Sequence, residues 1–341
     1  PLTVLELGDN YAAGYAGKLF RHAGARVVRV DVPHSNATAT PEDEARAIDL
    51  YLHDGKQRLA LEKGLASARG LVDELASEAD IILADLVPND LDRLDWDTLG
   101  GTRTTARTAI TPFGLDGPSR DWRATSSVLL AMGGQTYIIG DPARAPLTIP
   151  GRYFEYQAGQ FAFTASLAAH RAKPDATRHI DVSLLETVLT LSQYTMVMWT
   201  FGEQIRTRHG NDFATLHPLS MYRCADGWYT LNVTPPFWGA FLKMIDRPEL
   251  AEDERFASIR ARLDHRREMD AIIDETLGDK TRDELMEMGQ RAFRVPTGKL
   301  MSHRELLADE HLNARGFWQP LGDHPEIKTP ARAFRYVEGS G

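Results

Sequence analysis

The order of apolar and polar residues at the start of the chain predicts a strand, a helix and a second strand. Residues 2–7 form a short apolar run that ends at Gly8, and residues 11–23 place small side chains on one side of a predicted helix. Residues 26–31 are again apolar. Two strands joined by a helix form a βαβ unit, in which the strands are parallel and the crossover is right-handed. The sequence therefore predicts an α/β fold with a parallel sheet.

The alternation of strand and helix patterns continues through the first half of the chain. Short runs predict further strands at residues 57–62, 80–84 and 107–110, the second of them buried, and the segments 66–77 and 126–132 are predicted to be helices. A Pro-Gly turn at residues 150–151 then leads into a helix rich in alanine and glycine, which ends at Arg171. Small residues let another backbone approach closely, so this helix is predicted to be buried.

The second half of the chain has a different pattern. Residues 217–233 predict a hairpin with its turn at Asp226-Gly227, and residues 237–293 are helical and rich in charge. A chain of 341 residues also exceeds the size at which one hydrophobic core normally stops growing. Two domains are therefore expected, the second being the smaller.

Composition limits the classes of function. A net charge of −9 argues against nucleic acid or an anionic membrane surface as the main partner. The sequence has no apolar run long enough to span a bilayer and no signal-peptide pattern. Its single cysteine, Cys224, fits a reducing cytoplasm, where we expect the protein to act. Because the chain begins at Pro1 without Met, native terminal residues are expected to be missing, including at the C-terminus.

One carboxylate is a candidate for chemistry. Glu155 lies at the start of the small-residue helix, among Tyr153, Phe154, Tyr156 and Phe161. Burial would raise its pKa, whereas the helix N-terminus favours the anion. The residues alone leave two interpretations open, a structural acid at a helix start or a reactive group. The common hydrolase, zinc and nucleotide motifs are absent from the sequence, and the acidic segment 90–97 has the pattern of a solvated face rather than a metal site.

Several stretches of the chain, taken in order, resemble the family III CoA-transferases, the CaiB/BaiF group. That group includes formyl-CoA transferase, carnitine CoA-transferase and alpha-methylacyl-CoA racemase. The similar segments are collinear over most of the chain: Val-Leu-Glu-Leu at 4–7, Gly-Ala-Arg-Val-Val-Arg-Val-Asp at 24–31, and residues 52–61, 79–83, 113–118, 140–142, 180–186, 222–228, 295–298 and 309–317.

The resemblance implies an architecture and a set of partners. It implies a Rossmann-like large domain with a parallel sheet, a smaller α+β domain and an interlocked dimer of ring-like subunits. The predicted boundaries are residues 1–200 for the large domain, 201–220 for a linker, 221–316 for the small domain and 317–341 for a segment that returns to the large domain. The implied substrates are an acyl-CoA and a carboxylic acid, with no permanently bound cofactor and no metal. The implied assembly is a homodimer or a heteromer with a paralogue.

The resemblance also implies site residues. Glu155 matches the family's nucleophilic aspartate, which attacks the thioester and then carries CoA as an enzyme thioester. Lys56 and Arg58 lie where the family's lysine-bearing loop and strand would meet the CoA phosphates. Further CoA contacts are implied at Tyr11, Leu83, Asp85 and Thr125.

The chain departs from the family pattern at several of these positions. Glutamate in place of aspartate moves the carboxylate one methylene further from the backbone. The family's Asn-Phe-Arg-Pro-Gly is here Asp-Leu-Val-Pro-Asn at 85–89, so an arginine is missing. Thr125 aligns with the histidine base of the racemases, and a two-base racemisation is therefore not expected. The alternatives to CoA transfer are a hydrolase, lyase or isomerase with Glu155 as general base, and a catalytically degenerate subunit that pairs with a paralogue.

Overall fold

The structure is a computed structural model that describes residues 2–8, 10–31, 42–61, 65–173, 175–322 and 324–335. The chain divides into two compact units. The large unit contains residues 1–137, 148–206 and 316–341, and the small unit contains residues 138–147 and 207–315. Residues 138–147, which the sequence assigned to the large domain, thus group with the small unit. The last six residues of the predicted return segment lie outside the described residues.

The large unit is built on six strands and the helices between them. The strands are β1 (Thr3–Gly8), β2 (Arg26–Asp31), β3 (Gln57–Ala60), β4 (Ile81–Asp85), β5 (Ala106–Thr111) and β6 (Arg178–Ser183). The helices are α1 (Tyr11–His22), α2 (Glu42–His53), α3 (Arg69–Ser77), α4 (Pro88–Arg93), α5 (Ser126–Met132), α6 (Tyr153–Arg171), α7 (Leu184–Thr190) and α8 (Gln193–Gly202). The predicted α/β class with a parallel sheet is confirmed. Helix α2 was not predicted.

The six strands form one sheet in the order β3-β2-β1-β4-β5-β6, and every neighbouring pair is parallel. The register places Leu5 of β1 between Val28 of β2 and Ile82 of β4. The strand order reverses between β1 and β4. In open sheets of this kind, ligands bind outside the carboxyl ends of the strands at the point of reversal.

Both faces of the central strands β1, β4 and β5 are buried, which explains the continuous apolar runs in these strands. Alternate side chains of each strand point to opposite faces. Val4 and Leu83 pack with the face covered by α1 and α6, whereas Leu5, Leu7 and Ile82 pack with the face covered by α3 and α4.

Helices α1 and α6 pack against each other through small residues. Gly159 of α6 lies so close to α1 that a Cβ atom at this position would be 2.6 Å from the carbonyl oxygen of Ala12 and 3.1 Å from the amide nitrogen of Ala16. Ala158 and Ala162 beside it are fully buried. The predicted burial is confirmed for this half of the helix, whereas Ala165 is only partly buried and Ala168 is exposed. The contact sets the position of the first turn of α6.

The small unit contains a three-stranded antiparallel sheet and several helices. The strands are β7 (Leu219–Cys224), β8 (Gly227–Asn232) and β9 (Thr297–Lys299), and the helices are α9 (Trp238–Met244), α10 (Ile259–Asp264), α11 (Arg266–Leu277), α12 (Arg282–Met286), α13 (His303–Ala308) and α14 (Glu310–Ala314). A π-helical segment, Glu287–Phe293, follows α12. The hairpin predicted at 217–233 is formed by β7 and β8, which pair in antiparallel register. After the small unit, β10 (Trp318–Leu321) and β11 (His324–Pro330) form a two-stranded ribbon.

The described residues contain neither a membrane-spanning helix nor a cluster of metal-binding side chains. None of the helices in those ranges is long and apolar enough to cross a bilayer. The same residues contain no cluster of three or more His, Cys, Asp or Glu side chains that could hold a metal ion.

Candidate active site

A cavity of about 520 Å³ opens at the carboxyl edge of the large unit's sheet. Its lining comes from the segments that follow β1, β4, β5 and β6 and from the starts of α5 and α6. The cavity therefore lies at the reversal of strand order, where the topology favours ligand binding. The lining combines an apolar wall with a small set of polar groups, as is typical of small-molecule sites. The polar or charged members include Asn10, Tyr11, Asp85, Arg123, Thr125, Ser126, Arg152 and Glu155.

Glu155 lies in the first turn of α6, and its side chain is one wall of the cavity. The residue is only 4% exposed. Ser126 Oγ donates a hydrogen bond to Glu155 Oε1, and Arg152 Nη1 is 3.8 Å from the same oxygen. The second oxygen, Oε2, is buried and has no hydrogen-bond partner among the described residues. The two oxygens of one carboxylate are therefore in different environments.

The electrostatic balance at Glu155 favours the protonated form relative to a free carboxyl. Burial raises the pKa of Glu155, and the hydrogen bonds from Ser126 and from the backbone, together with the charge of Arg152, only partly oppose that effect. A carboxylate that is desolvated in this way keeps more of its nucleophilicity and basicity than one in water.

Arg152 is held on both sides. Its Nη1 donates to Ser126 Oγ at 3.1 Å, and its Nη2 donates to the hydroxyl of Tyr11 at 3.1 Å. The guanidinium also lies over the Tyr11 ring, 4.2 Å from the ring centroid. Tyr11, one of the residues predicted to contact CoA, is thus part of the cavity through its contact with Arg152.

Asp85 ends β4 and faces the N-terminus of α1. Asn10 Nδ2 donates to Asp85 Oδ1 at 2.9 Å, and the backbone N–H of Ala13 donates to Oδ2 at 3.3 Å. A helix N-terminus stabilises an anion at this position. Gly8 has a φ of +101°, and a Cβ there would be 2.5 Å from the carbonyl oxygen of Asp85, so this turn requires glycine.

The remaining predicted contacts divide into two groups. Thr125 precedes α5, is exposed and lines the cavity. Leu83 is fully buried in the core of the sheet, and it does not line the cavity. Packing alone accounts for Leu83, because its side chain points under α1 and α6. The structure gives no support to its predicted contact with CoA.

Lys56 also lies away from the cavity. Its ammonium group is fully buried and donates to Glu6 Oε2 at 2.7 Å and to the Gly14 carbonyl at 2.7 Å, with His53 Nδ1 at 3.1 Å. Arg29 forms a second buried bond to Glu6. These partners occupy the three donors of the lysine, so a structural role explains the residue and the geometry does not favour the predicted phosphate contact.

Arg58 follows Lys56 and is placed differently. Its side chain is 40% exposed, and its guanidinium pairs with Asp31 at 2.8 Å and Asp49 at 2.7 Å. It lies on β3, the outermost strand on one side of the sheet, which leaves it reachable from solvent. Of the two cations predicted to meet CoA phosphates, Arg58 is the one that the structure exposes.

Reasoning from the sequence missed four polar or charged residues of the cavity, Asn10, Arg123, Ser126 and Arg152. Arg152 had a local signal, because it lies three residues before Glu155 and such pairs meet on a helix surface. Ser126 had none, since it is 29 residues from Glu155 and only the sheet topology brings it close. Arg123 is exposed at the cavity and has no ion pair within the described part of the chain.

A larger cavity, of about 840 Å³, lies in the small unit. Two of its four acidic residues are in ion pairs: Asp212 with Arg266 at 3.2 Å and Arg267 at 3.1 Å, and Asp270 with Arg267 at 3.2 Å, whereas Asp274 is exposed. It has no buried carboxylate with a free oxygen. The chemistry therefore points to the smaller cavity in the large unit.

The fold and the cavity together define a doubly wound α/β protein with a cavity at the switch point of its sheet, lined by two buried carboxylates, Asp85 and Glu155. Comparison with known proteins agrees with this fold class and identifies the family to which the chain belongs. The chain belongs to CoA-transferase family III, whose pattern matches residues 2–340. The predicted family membership is confirmed.

Individual relatives are identical to this chain at about a quarter of the aligned positions. The chain is 28% identical over 330 residues to a succinyl-CoA–D-citramalate CoA-transferase of Chloroflexus aurantiacus, covering 92% of this chain and 80% of the relative. It is 27% identical to the alpha subunit of a succinyl-CoA–L-malate CoA-transferase of Chloroflexus aurantiacus, covering 92% and 77%. A crystal structure of a CaiB/BaiF family protein from Brucella suis superposes with a TM-score of 0.83 at 25% identity, covering 99% of this chain and 92% of that one.

Family membership establishes the class of activity. The protein is an enzyme of the CoA-transferase class, as predicted, and such enzymes act on a CoA thioester and a carboxylate.

Proposed function

We propose that the protein transfers CoA from an acyl-CoA donor to a carboxylic acid acceptor through a covalent glutamyl-CoA intermediate on Glu155. The observation that carries this proposal is the environment of Oε2, which is buried at the cavity and has no hydrogen-bond partner among the described residues. A nucleophilic oxygen needs a free lone pair and little water around it, and Oε2 meets both conditions.

The first half of the reaction balances without an added proton or oxidant. Glu155 Oε2 attacks the thioester carbonyl carbon, the C–S bond breaks, and CoA leaves as a thiolate. The product on the enzyme is a mixed anhydride. The thiolate then attacks Cδ of Glu155, and the bond from Cδ to Oε2 breaks. The donor acid leaves as a carboxylate that carries this oxygen, and CoA remains on Glu155 as a thioester.

The second half reverses these steps with the acceptor. A carboxylate oxygen of the acceptor attacks Cδ and displaces the CoA thiolate, which gives a second anhydride. The thiolate then attacks the acceptor's carbonyl carbon, and Glu155 leaves as a carboxylate that has received one oxygen from the acceptor. The longer side chain of glutamate compared with aspartate is accommodated here by the bond from Ser126, which holds Oε1 in the cavity.

The charges around the cavity favour short dicarboxylic substrates. Arg123 lines the cavity and has no ion pair within the described part of the chain, and a guanidinium binds a carboxylate through parallel hydrogen bonds. The two curated relatives are named for succinyl-CoA together with citramalate or malate, all of which carry a second carboxylate. Succinyl-CoA is therefore the first donor to test.

The proposal extends to the oligomeric state of the protein and to its cellular location. We propose a homodimer, with an interlocked arrangement as the family resemblance implies. A heteromer with a paralogue is the second candidate, because one relative is named as an alpha subunit. A single cysteine and a CoA-dependent reaction fit the cytoplasm.

The test is single-turnover mass spectrometry of the intact protein with succinyl-CoA and no acceptor. CoA should appear on Glu155 as a thioester, and hydroxylamine should convert that side chain to a hydroxamate. Glu155→Gln should form no adduct and lose at least about a hundredfold in rate, in line with removal of a nucleophile. Glu155→Asp should also lose rate, because a shift of about 1 Å costs roughly a hundredfold.

The matched control is Glu186→Gln, which removes an exposed carboxylate from the first turn of another helix, α7. It should leave the adduct and the rate unchanged. An active enzyme with no label on Glu155 at any time would replace the covalent mechanism with the general-base alternative. A protein that folds but turns over only after addition of a paralogue would favour the degenerate subunit.

A further inference from the structure

We infer that Ser126 is a catalytic hydrogen-bond donor, which stabilises negative charge on Glu155 Oε1 each time a nucleophile attacks the glutamyl carbon. The inference rests on the proposed covalent mechanism. It identifies the group that stabilises the oxyanion on the glutamyl carbon, which the proposed mechanism does not name. Oε1 keeps its bond to Cδ throughout, as the carbonyl oxygen of both the anhydride and the thioester. Oε2 is the oxygen that forms and breaks bonds.

The direction of the hydrogen bonds supports this role. A guanidinium can only donate, so Ser126 Oγ must accept from Arg152 Nη1 at 3.1 Å. The single hydroxyl proton of Ser126 is then left for Glu155 Oε1, with which Oγ is in hydrogen-bond contact. When Glu155 becomes an acyl group, Oε1 remains an acceptor, and the same donor is still aimed at it.

The donor is also fixed in place. Arg152 cannot turn away from Ser126 without losing its bond to the Tyr11 hydroxyl and its stacking on the Tyr11 ring. Tyr11, Arg152 and Ser126 therefore form a chain of contacts that ends on one oxygen of Glu155. A donor whose orientation is set before the reaction needs no reorganisation when charge develops, and this is the condition for effective stabilisation of an oxyanion.

The chemistry separates two kinds of step. When the CoA thiolate or an acceptor carboxylate attacks Cδ, the negative charge develops on Oε1, where Ser126 donates. When Glu155 attacks the acyl thioester, the charge develops on the substrate's carbonyl oxygen instead. Loss of one oxyanion donor typically costs about 10²–10³ in rate. Removal of the Ser126 hydroxyl should therefore slow attack on the glutamyl carbon by about a hundredfold or more and leave the first acylation much less affected.

The experiment is rapid-quench mass spectrometry of the intact enzyme with succinyl-CoA, following the succinyl and CoA adducts of Glu155 separately. In the parent enzyme the succinyl adduct should be short-lived, and the CoA adduct should dominate. In Ser126→Ala the succinyl adduct should accumulate, and the CoA adduct should appear about a hundredfold more slowly. Ser126→Thr keeps the hydroxyl and should restore the parent order of adducts.

The neighbouring hydroxyl supplies the control. Ser127 is exposed, its Oγ is 3.1 Å from Thr125 Oγ1, and it does not line the cavity. Ser127→Ala should behave as the parent. The ratio of succinyl to CoA adduct is measured only on molecules that have reacted, so partial unfolding of Ser126→Ala would not change it.

The outcomes distinguish the two proposals. If the parent forms the CoA adduct and Ser126→Ala forms it with the same rate and the same adduct ratio, Ser126 has no catalytic role while the covalent mechanism stands. If the parent forms no adduct on Glu155, the covalent mechanism fails and the role of Ser126 fails with it.

Discussion

At the scale of single residues, the site depends on an asymmetry within one side chain. Glu155 Oε1 is in contact with Ser126 and lies 3.8 Å from Arg152, whereas Oε2 is buried without a partner among the described residues. An unpaired buried polar atom costs about 1–3 kcal/mol of stability. An unpaired buried oxygen of this kind in a residue that lines the cavity is consistent with a functional role.

The pKa of Glu155 gives a prediction for the pH dependence of acylation. Burial raises this pKa above the ordinary 4.5, and only the ionised carboxylate attacks. The rate of adduct formation on Glu155 should therefore fall as the pH is lowered through a midpoint above 4.5. The measurement is the single-turnover rate without acceptor, since an acceptor acid would titrate in the same range.

The same shift has a consequence for stability. The folded state favours the protonated carboxyl, so the contribution of Glu155 to stability is fully present below the unfolded pKa and is lost as the pH rises through the folded one. Glu155→Gln should therefore become more stable relative to the parent as the pH is raised from acid to neutral. A difference in the free energy of unfolding that does not change with pH would show that the carboxyl is not perturbed.

At the scale of elements, two arrangements position the cavity. One is the buried ion network of Glu6, Arg29 and Lys56, which joins β1, β2 and the start of β3 beneath α1. The other is the close contact between α1 and α6 at Gly159. Both act on α1, whose first turn carries Tyr11, and the second also acts on α6, whose first turn carries Glu155.

Lys56→Ala is predicted to affect folding more than CoA binding. Removal of one partner from a buried ion pair typically costs about 3–5 kcal/mol, and Arg29 remains to compensate part of the charge of Glu6, so about 3 kcal/mol is expected. Urea denaturation measures this loss, and calorimetry measures CoA affinity in the folded fraction.

Arg58→Ala is the variant to compare with Lys56→Ala, because it removes the other cation that was predicted to contact the CoA phosphates. Its surface ion pairs are worth less than about 1 kcal/mol, so stability should hardly change. We expect this variant, rather than Lys56→Ala, to weaken CoA binding. A folded Lys56→Ala protein with CoA affinity lowered by about 1.5–3 kcal/mol, the range for charge-assisted hydrogen bonds, would show instead that the lysine reaches the phosphates.

Gly159→Ala is predicted to separate α1 from α6. The new Cβ would lie 2.6 Å from a backbone oxygen, which cannot rotate away as a side chain can. We expect a loss of about 1–3 kcal/mol from overpacking. The rate of adduct formation should also fall, since Glu155 lies one turn earlier on the same helix.

A glycine in another helix provides the comparison. Gly70 of α3 is exposed, and a Cβ there would meet nothing within 4 Å. Gly70→Ala should be neutral or stabilise by up to about 1 kcal/mol, with an unchanged rate. Equal effects of the two substitutions on stability would mean that the contact at Gly159 is not tight.

At the scale of the whole molecule, an apolar surface is left exposed by the described part of the chain. It lies on α8, and we call Met196, Val197, Trp199 and Phe201 the α8 patch; their exposed fractions are 51, 60, 48 and 93%. Large exposed apolar patches mark interaction sites. The patch overlaps the end of an apolar stretch from Ile180 to Trp199, and an obligate dimer would bury such a stretch in its interface.

We predict that the protein is a dimer at nanomolar concentration and that the α8 patch contributes to the interface. Phe201→Glu should produce monomers or aggregates, because it places a charge in an apolar interface. Leu71→Glu, at an exposed leucine of α3 that is 38% exposed, should leave the assembly unchanged. Light scattering that shows a compact, folded parent monomer would count decisively against the dimer.

The sequence by itself determined the local elements and the class of the enzyme. The pattern of apolar and polar residues predicted β1, α1 and β2, the strands that follow, and the small-residue helix α6. Such patterns depend only on residues that are close together in the sequence. The collinear motifs predicted CoA-transferase family III, and a lone carboxylate among aromatic residues singled out Glu155. Helix α2 was missed, since its acidic start resembles a loop.

The tertiary structure decided which side chains meet. Strand order brings Tyr11 to Arg152 across 141 positions and Ser126 to Glu155 across 29, and it buries Lys56 against Glu6, 50 positions away. None of these pairings leaves a periodic signal. A local pattern reports which face of an element is buried, whereas the partner on that face depends on how the sheet is ordered and how closely α1 and α6 approach.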